Sequence, residues 1–200
     1  MEQFLNKCLN QTEGIDLNNE QRCQIISYLL LLKKWNKIYN LTCITDPQEM
    51  ITKHIMDSLI IGPYMTGSSF CDIGSGAGLP GIPLAIMYPD REFTLIDSRS
   101  KRTIFLTQVK MELKLNNVSI INQRAENITD LKFDGAFSRA FSSLKLFYSI
   151  GKKLLKEDGV IYAMKGMINQ NEIEEVKDQI KKIITLKVPG EKCTRNLVMM

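Results

Sequence analysis

The sequence predicts an α/β fold: a mostly parallel sheet with helices on both faces, closed by a C-terminal antiparallel hairpin and preceded by a helical extension. Three observations predict it. From residue 69 onward, short apolar runs alternate with segments of helical spacing, the mark of a parallel sheet covered on both faces. The last two apolar runs, 183–188 and 195–200, are separated by P-G-E-K-C-T, a loop that suits a hairpin and not a crossover. The first 65 or so residues read as helices.

Taken in order, Phe4, Leu5, Cys8 and Leu9 fall at helical spacing before Gly14 breaks the run. Asn18 and Gln21 form a capping-box pattern ahead of a long helix to about Tyr39, with Cys23, Ile26, Leu30 and Leu31 expected on one side. Asp46, Pro47 and Glu49 mark a second start: a cap, a proline at the first helical position and a reciprocal acid. The helix that follows sets Ile51, Ile55, Ser58 and Leu59 on one face and stops before Pro63. Strands are expected at 69–73, 92–97, 117–122, 134–138 and 159–164, with helices at 80–88, 100–115, 142–155 and 169–182. The chain thus divides into a helical extension, 1–65, and a sheet domain, 66–200.

At 200 residues the chain fits one domain with an extension and supports a single sizeable core. An apolar content of 44% with 24% charged residues is ordinary for a soluble protein. The longest apolar run, Ile25 to Leu32, is interrupted by Ser27 and too short to span a bilayer. Met1 leads into E-Q-F-L-N-K without the basic-then-apolar order of a secretory signal, so a cytoplasmic protein with no membrane partner is expected. Cys8, Cys23, Cys43, Cys71 and Cys193 are odd in number and lack a C-x-x-C pair, so they are expected to be reduced, with neither a disulfide framework nor a metal site. A net charge of +4 permits an anionic partner without demanding one.

The chemistry concentrates in F-C-D-I-G-S-G-A-G-L-P-G-I-P-L, Phe70 to Leu84, which reads as strand, glycine turn, helix. Such a turn lets backbone approach a nucleotide-like ligand, and the helix start behind it carries unpaired N–H groups. The dinucleotide fingerprint G-x-G-x-x-G fails from Gly74, where its third glycine falls on Leu79; from Gly76 it fits Gly76, Gly78 and Gly81 but leaves Asp72 and Gly74 unexplained. An acid before the first glycine repels pyrophosphate and suits S-adenosylmethionine, which carries an ammonium and a sulfonium. Asp97 ends the next strand, F-T-L-I-D, where a carboxylate can accept both ribose hydroxyls; nicotinamide enzymes use the same device, so Asp97 alone does not discriminate. The terminal hairpin does, because it belongs to the class I S-adenosylmethionine-dependent methyltransferase (Rossmann-like) sheet and is missing from dinucleotide folds.

W-N-K-I-Y-N-L-T (Trp35 to Thr42), H-I-M-D-S-L (His54 to Leu59), D-I-G-S-G-A-G-L-P-G-I-P-L (Asp72 to Leu84), L-I-D-S-R-S-K-R (Leu95 to Arg102), R-A-E (Arg124 to Glu126), F-S-R-A-F (Phe137 to Phe141) and M-K-G (Met164 to Gly166) follow one another along nearly the whole chain. In that order and spacing they resemble the small-subunit ribosomal RNA methyltransferase G family, also called glucose-inhibited division protein B. The resemblance implies methyl transfer from S-adenosylmethionine to N7 of a guanine in 16S ribosomal RNA. It also implies that Gly74 and Leu79 line the cofactor, that Ala125 and Glu126 meet its adenine side, and that Arg139 closes the pocket. The partner implied is 16S ribosomal RNA or the small ribosomal subunit, and a monomer is expected.

The residues themselves fit that chemistry. Methylases of exocyclic amines present N/D-P-P-Y after the fourth strand, and this chain has Ser138, Arg139, Ala140 and Phe141 there. Pyrimidine C5 methylation needs a cysteine nucleophile, commonly in a Pro-Cys pair, and none exists. A target with a free lone pair remains, such as guanine N7, which needs no base and relies on positioning. Among single residues, His54 is expected to be packed and not catalytic, and Asp57 to cap or pair locally. Arg139 and Phe141 are positioning candidates; Phe141 serves equally well as a base-stacking surface or as core. Lys101, Arg102 and Lys165 follow strand tips on the cofactor side and are the candidates for phosphate contacts. Two other functions stay open: a nicotinamide oxidoreductase, and a non-catalytic ribosome-binding module on the same fold.

Overall fold

The computed structural model describes the chain from Met1 to Met200 except Ala140, Ser142, Lys192 and Cys193. One sheet runs β1 (Ser69–Ile73), β2 (Glu92–Ile96), β3 (Val118–Ile121), β4 (Phe133–Ser138), β5 (Leu155–Lys165), β6 (Lys182–Lys187) and β7 (Thr194–Met199). Its spatial order is β3-β2-β1-β4-β5-β7-β6. β1 to β5 are mutually parallel, and β7 lies antiparallel between β5 and β6. The order reverses beside β1, so the C-terminal tips of β1, β2 and β4 border the crevice where open α/β sheets bind ligands.

Alternation of side chains across β1 divides the interior into two cores. Phe70 points into a layer shared with Phe93, Phe137 and Tyr162 and covered by the N-terminal helices, α5 (Gly81–Met87) and α6 (Ser100–Leu113). Cys71 and Ile73 point the other way, against α7 (Leu144–Gly151). The extension comprises α1 (Glu2–Leu9), α2 (Asn19–Tyr39), α3 (Pro47–Met50), a π-helical stretch Ile51–Met56 and α4 (Asp57–Leu59). Its apolar side belongs to the first of these cores: Leu5, Ile25, Leu32, Ile51 and Ile55 are fully buried there.

The α2 capping box is present in both directions, Asn18 Oδ1 accepting from Gln21 N (2.9 Å) and Gln21 Oε1 from Asn18 N (2.8 Å). The buried face of α2 differs from the expected one. Ile25, Tyr28, Leu29 and Leu32 are inside together with the expected Leu31, and Ile26 is half-buried, whereas Cys23 is exposed and Leu30 is 55% exposed. Residues 25–32 are apolar almost all round, so spacing could not choose the face; tertiary contacts did. Asp46 caps Gln48 N and Glu49 N, but Glu49 turns to Lys53 and does not close a reciprocal box.

The strands fall where expected, except that β5 begins at Leu155, with a register irregularity between Phe133 and Gly135. The preceding helix is correspondingly short: α7 covers Leu144–Gly151, and position 142 of the expected span lies outside the described residues. The helix expected at 169–182 is reduced to α8 (Gln170–Glu174) and one 3-10 turn, Lys177–Gln179. Cys8 and Cys71 are buried and Cys23 and Cys43 exposed, all four free; Cys193 lies outside the described residues. Among the described residues no helix is long and apolar enough to cross a membrane.

Candidate functional site

After Ile73 the chain turns through Gly74 to Gly78. Gly74 has φ +74°, and a Cβ there would meet nothing within 4 Å, so the residue stands bare against open space. Gly81 is glycine for the opposite reason: a Cβ would collide with Leu95 and Asp72, and α5 packs onto the sheet only without one. Four of the turn's amides are already engaged. Gly74 N and Ser75 N donate to Ile96 O (2.8 and 3.1 Å), Gly76 N to Asp97 Oδ2 (2.9 Å) and Gly78 N to Ser75 O (2.8 Å). At the start of α5, Gly81 N donates to Asp72 Oδ2 at 3.0 Å. A dinucleotide site presents such N–H groups free to pyrophosphate, and here a carboxylate stands in that position.

Above the turn lies an open cavity of about 190 Å³, lined among others by Gly74, Asp97, Arg102, Ala125, Glu126 and Phe141. Asp97, 4% exposed, is its best-anchored acid. Its Oδ2 accepts from Gly76 N and Arg102 Nη1 (2.9 and 3.0 Å), and its Oδ1 from Arg99 N (2.9 Å). Of the residues singled out in the sequence, this cavity gathers those six. Asp72, Gly76, Gly78 and Leu79 build the turn from behind without lining the cavity, and Arg139 lies off it. Lys101 is exposed on α6, while Lys165 is paired with Glu172 at 2.8 Å.

Asp72 shares the Phe70 side of β1 and is fully buried. Among the described residues its Oδ1 has no partner. Burial pushes its carboxyl up to about 7, against the opposing pull of the Gly81 hydrogen bond and the Arg139 charge.

A second polar centre joins the extension to the sheet. Asp57, 1% exposed, accepts from Arg139 Nη1 at 3.3 Å on one oxygen and from Arg195 Nε at 2.5 Å on the other. The expectation of a local partner for Asp57 is therefore corrected: both partners are remote in sequence, Arg139 just past the end of β4 and Arg195 in β7, because the fold sets the first residue of α4 beside them. Arg139 also donates to Lys53 O (2.9 Å). His54 is buried, and its Nε2 shares a hydrogen bond with Thr42 Oγ1 (2.8 Å). Burial, then the Arg139 charge, lowers its pKa to about 4. It lines no part of the cavity, in keeping with a packed residue.

Sequence reasoning missed two contributors. Arg99 joins the wall and gives Asp97 a backbone donor; it sits inside the quoted L-I-D-S-R-S-K-R run, so the signal was there. Tyr28 is buried, and its hydroxyl donates to Ala77 O at 2.7 Å, linking α2 to the glycine turn across 49 residues. Nothing local in the sequence marks it.

The site fits S-adenosylmethionine on its own geometry: open space over Gly74, a carboxylate at the second strand tip, and most turn amides, with the Gly81 amide at the start of α5, already taken by protein acceptors. With a sheet in the order found here, this fold and site define a class I S-adenosylmethionine-dependent methyltransferase. Solved structures share the fold. A SAM-dependent methyltransferase from Aquifex aeolicus superposes with TM-score 0.60 at 16% identity, over 83% of this chain and 96% of that one. TYW2 of M. jannaschii in complex with AdoMet gives 0.58 at 19% identity, over 78% and 76%.

Sequence relatives narrow the class. The family model of rRNA small subunit methyltransferase G matches residues 21–198. "Ribosomal RNA small subunit methyltransferase G" of Actinobacillus succinogenes is 44% identical, covering 100% of this chain and 98% of its own. Its counterpart in Klebsiella pneumoniae is 46% identical over 94% and 92%. The chain belongs to the ribosomal RNA small subunit methyltransferase G family. Nothing in the site or among these relatives supports the nicotinamide or the non-catalytic alternative.

Proposed function

We propose that this protein transfers the methyl group of S-adenosylmethionine to N7 of a guanine in 16S ribosomal RNA. The bound cofactor supplies an electrophilic methyl on sulfur. Asp97 holds the ribose, Gly74 leaves its space open with Leu79 supporting the turn from behind, Ala125 and Glu126 meet the adenine, and Asp72 places negative charge beneath the turn, toward the cationic end. Arg139, held by Asp57 off the cavity, supports the pocket from the extension side, and Phe141 offers a surface for the target base. Lys101, Arg102 and Lys165 meet RNA phosphates. Residues 1–65 serve as the helical extension and 66–200 as the methyltransferase domain, acting as a cytoplasmic monomer on 16S ribosomal RNA or the small subunit.

The β4 tip carries the choice of atom. Ser138 Oγ is buried and donates to Ile73 O (2.8 Å) and Arg139 turns to Asp57, so neither side chain there awaits the hydrogens of an amine. Guanine N7 offers its lone pair without deprotonation, and orientation suffices. N7-methylguanine is cationic with a labile glycosidic bond. Borohydride and aniline should therefore cleave ribosomal RNA from cells holding this protein at one site, and RNA from cells lacking it only after treatment with the purified enzyme. Label found on an amine, a ribose oxygen or a pyrimidine carbon would refute the assignment.

A further inference from the structure

The geometry points to an exchange at Asp97: the ribose of S-adenosylmethionine displaces Arg102 from the carboxylate, and the freed guanidinium takes up an RNA phosphate, so that cofactor and RNA reinforce each other's binding. The RNA half rests on the function proposed above.

The exchange follows from counting acceptors. A carboxylate offers about four lone-pair positions. On Asp97 three are filled, by Gly76 N, Arg99 N and Arg102 Nη1. A ribose held by its two hydroxyls brings two donors more, one beyond the vacancy. A present donor must therefore leave. Gly76 N belongs to a turn tied down on its N-terminal side by the Gly74 and Ser75 bonds to Ile96 O, and Arg99 N begins α6. Only Arg102 reaches Asp97 through a long side chain, one third exposed (33%). Its Nη1 lies 3.9 Å from the position of a Cβ on Gly76, over the glycine turn.

The released group has reason to seek an anion. Arg99, Lys101 and Arg102 crowd the start of α6, whose first turn contains no acid. A helix N-terminus favours negative charge, so three cations there are unfavourable without an anionic partner. In the structure, among the described residues, Asp97 is the only group the Arg102 guanidinium bonds, and the ribose takes that partner away. A phosphate accepts the same planar fork of donors.

Calorimetry with S-adenosylhomocysteine tests the exchange without RNA. Arg102→Ala and Arg102→Gln should bind it roughly two- to fivefold more tightly than the wild type, the scale of removing a partly exposed ion pair that competes. Wild-type affinity should also rise with salt, which weakens the Arg102–Asp97 pair and needs no variant. Unchanged or weaker binding in both folded variants, or a wild-type affinity that falls with salt, overturns the exchange. A transcript of small-subunit ribosomal RNA tests the second half. Saturating S-adenosylhomocysteine should steepen the wild-type salt slope by about one unit, one phosphate contact, and leave that of Arg102→Ala unchanged. By linkage, RNA should tighten S-adenosylhomocysteine by the same factor as the reverse. RNA binding indifferent to the cofactor overturns the coupling alone. RNA that fails to bind in any state overturns the coupling together with the functional reading, while the first arm still judges the exchange.

Discussion

The tips of β1 and β2 each carry a buried aspartate, yet the two acids have opposite neighbourhoods. Asp97 has three donors on its oxygens and faces the cavity. Asp72 has one, Gly81 N, and a second oxygen buried with no partner among the described residues. Equal burial therefore comes with unequal service: one carboxylate is ringed by donors and the other is not. The better-served acid is pre-organised for a ligand. The poorly served one caps α5 and shares its proton with the surroundings near neutral pH, acting on the site through charge and through the backbone it holds.

The largest effect that would break this comparison is in cofactor affinity. Asp97→Ala should weaken S-adenosylmethionine by about 1.5–3 kcal/mol, the loss of hydrogen bonds to a charged group, while the fold persists. Calorimetry on the folded variant checks it, and unchanged affinity removes Asp97 from the ribose role.

Asp72 should show itself in stability against pH. Between its ordinary 3.8 and about 7, the folded state binds more protons than the unfolded state, so stability falls as pH rises through that window. His54, lowered from 6.5 to about 4, works in the other direction: the unfolded state binds the proton there, and stability rises with pH from 4 to 6.5. The two oppose each other in the wild type. Asp72→Asn removes the first, so its stability should gain on the wild type, by on the order of a few kcal/mol, as pH rises from about 4 to 7. Denaturant melts across that range decide it, with Arg139 and Asp97 the charges facing the group. A constant difference at every pH would mean that Asp72 is ionised throughout. Binding sharpens the point: if the Asp72 charge acts on the cofactor, Asp72→Asn loses more affinity for cationic S-adenosylmethionine than for S-adenosylhomocysteine.

A smaller effect is expected at Tyr28. Tyr28→Phe removes one buried hydroxyl from Ala77 O and should lower stability by about 1 kcal/mol, with a parallel loss in cofactor affinity from a looser turn. Affinity that holds while stability falls would confine the residue to the core. Least of all, Lys101→Ala and Lys165→Ala should each reduce the RNA salt slope by roughly one unit, with Lys165 the weaker because Glu172 already holds it. An unaltered slope in both would withdraw them from the phosphate contacts.

The sequence by itself determined the glycine turn, the second-strand acid, the parallel order and the terminal hairpin, because each rests on interactions within a few residues: period, caps, turn chemistry and chain length. It could not assign the buried face of α2, where apolar residues leave no contrast for periodicity to read. Nor could it pair Asp57 with Arg139 and Arg195, 82 and 138 residues away, or Tyr28 with Ala77. A buried charge or hydroxyl must find a partner wherever the fold brings one, and the chain carries no local mark of which it will be. The same holds for Asp97 and Arg102. Five residues apart, both were singled out as binding groups, and only the tertiary structure set them on each other, because the tip of β2 and the first turn of α6 converge over the glycine turn.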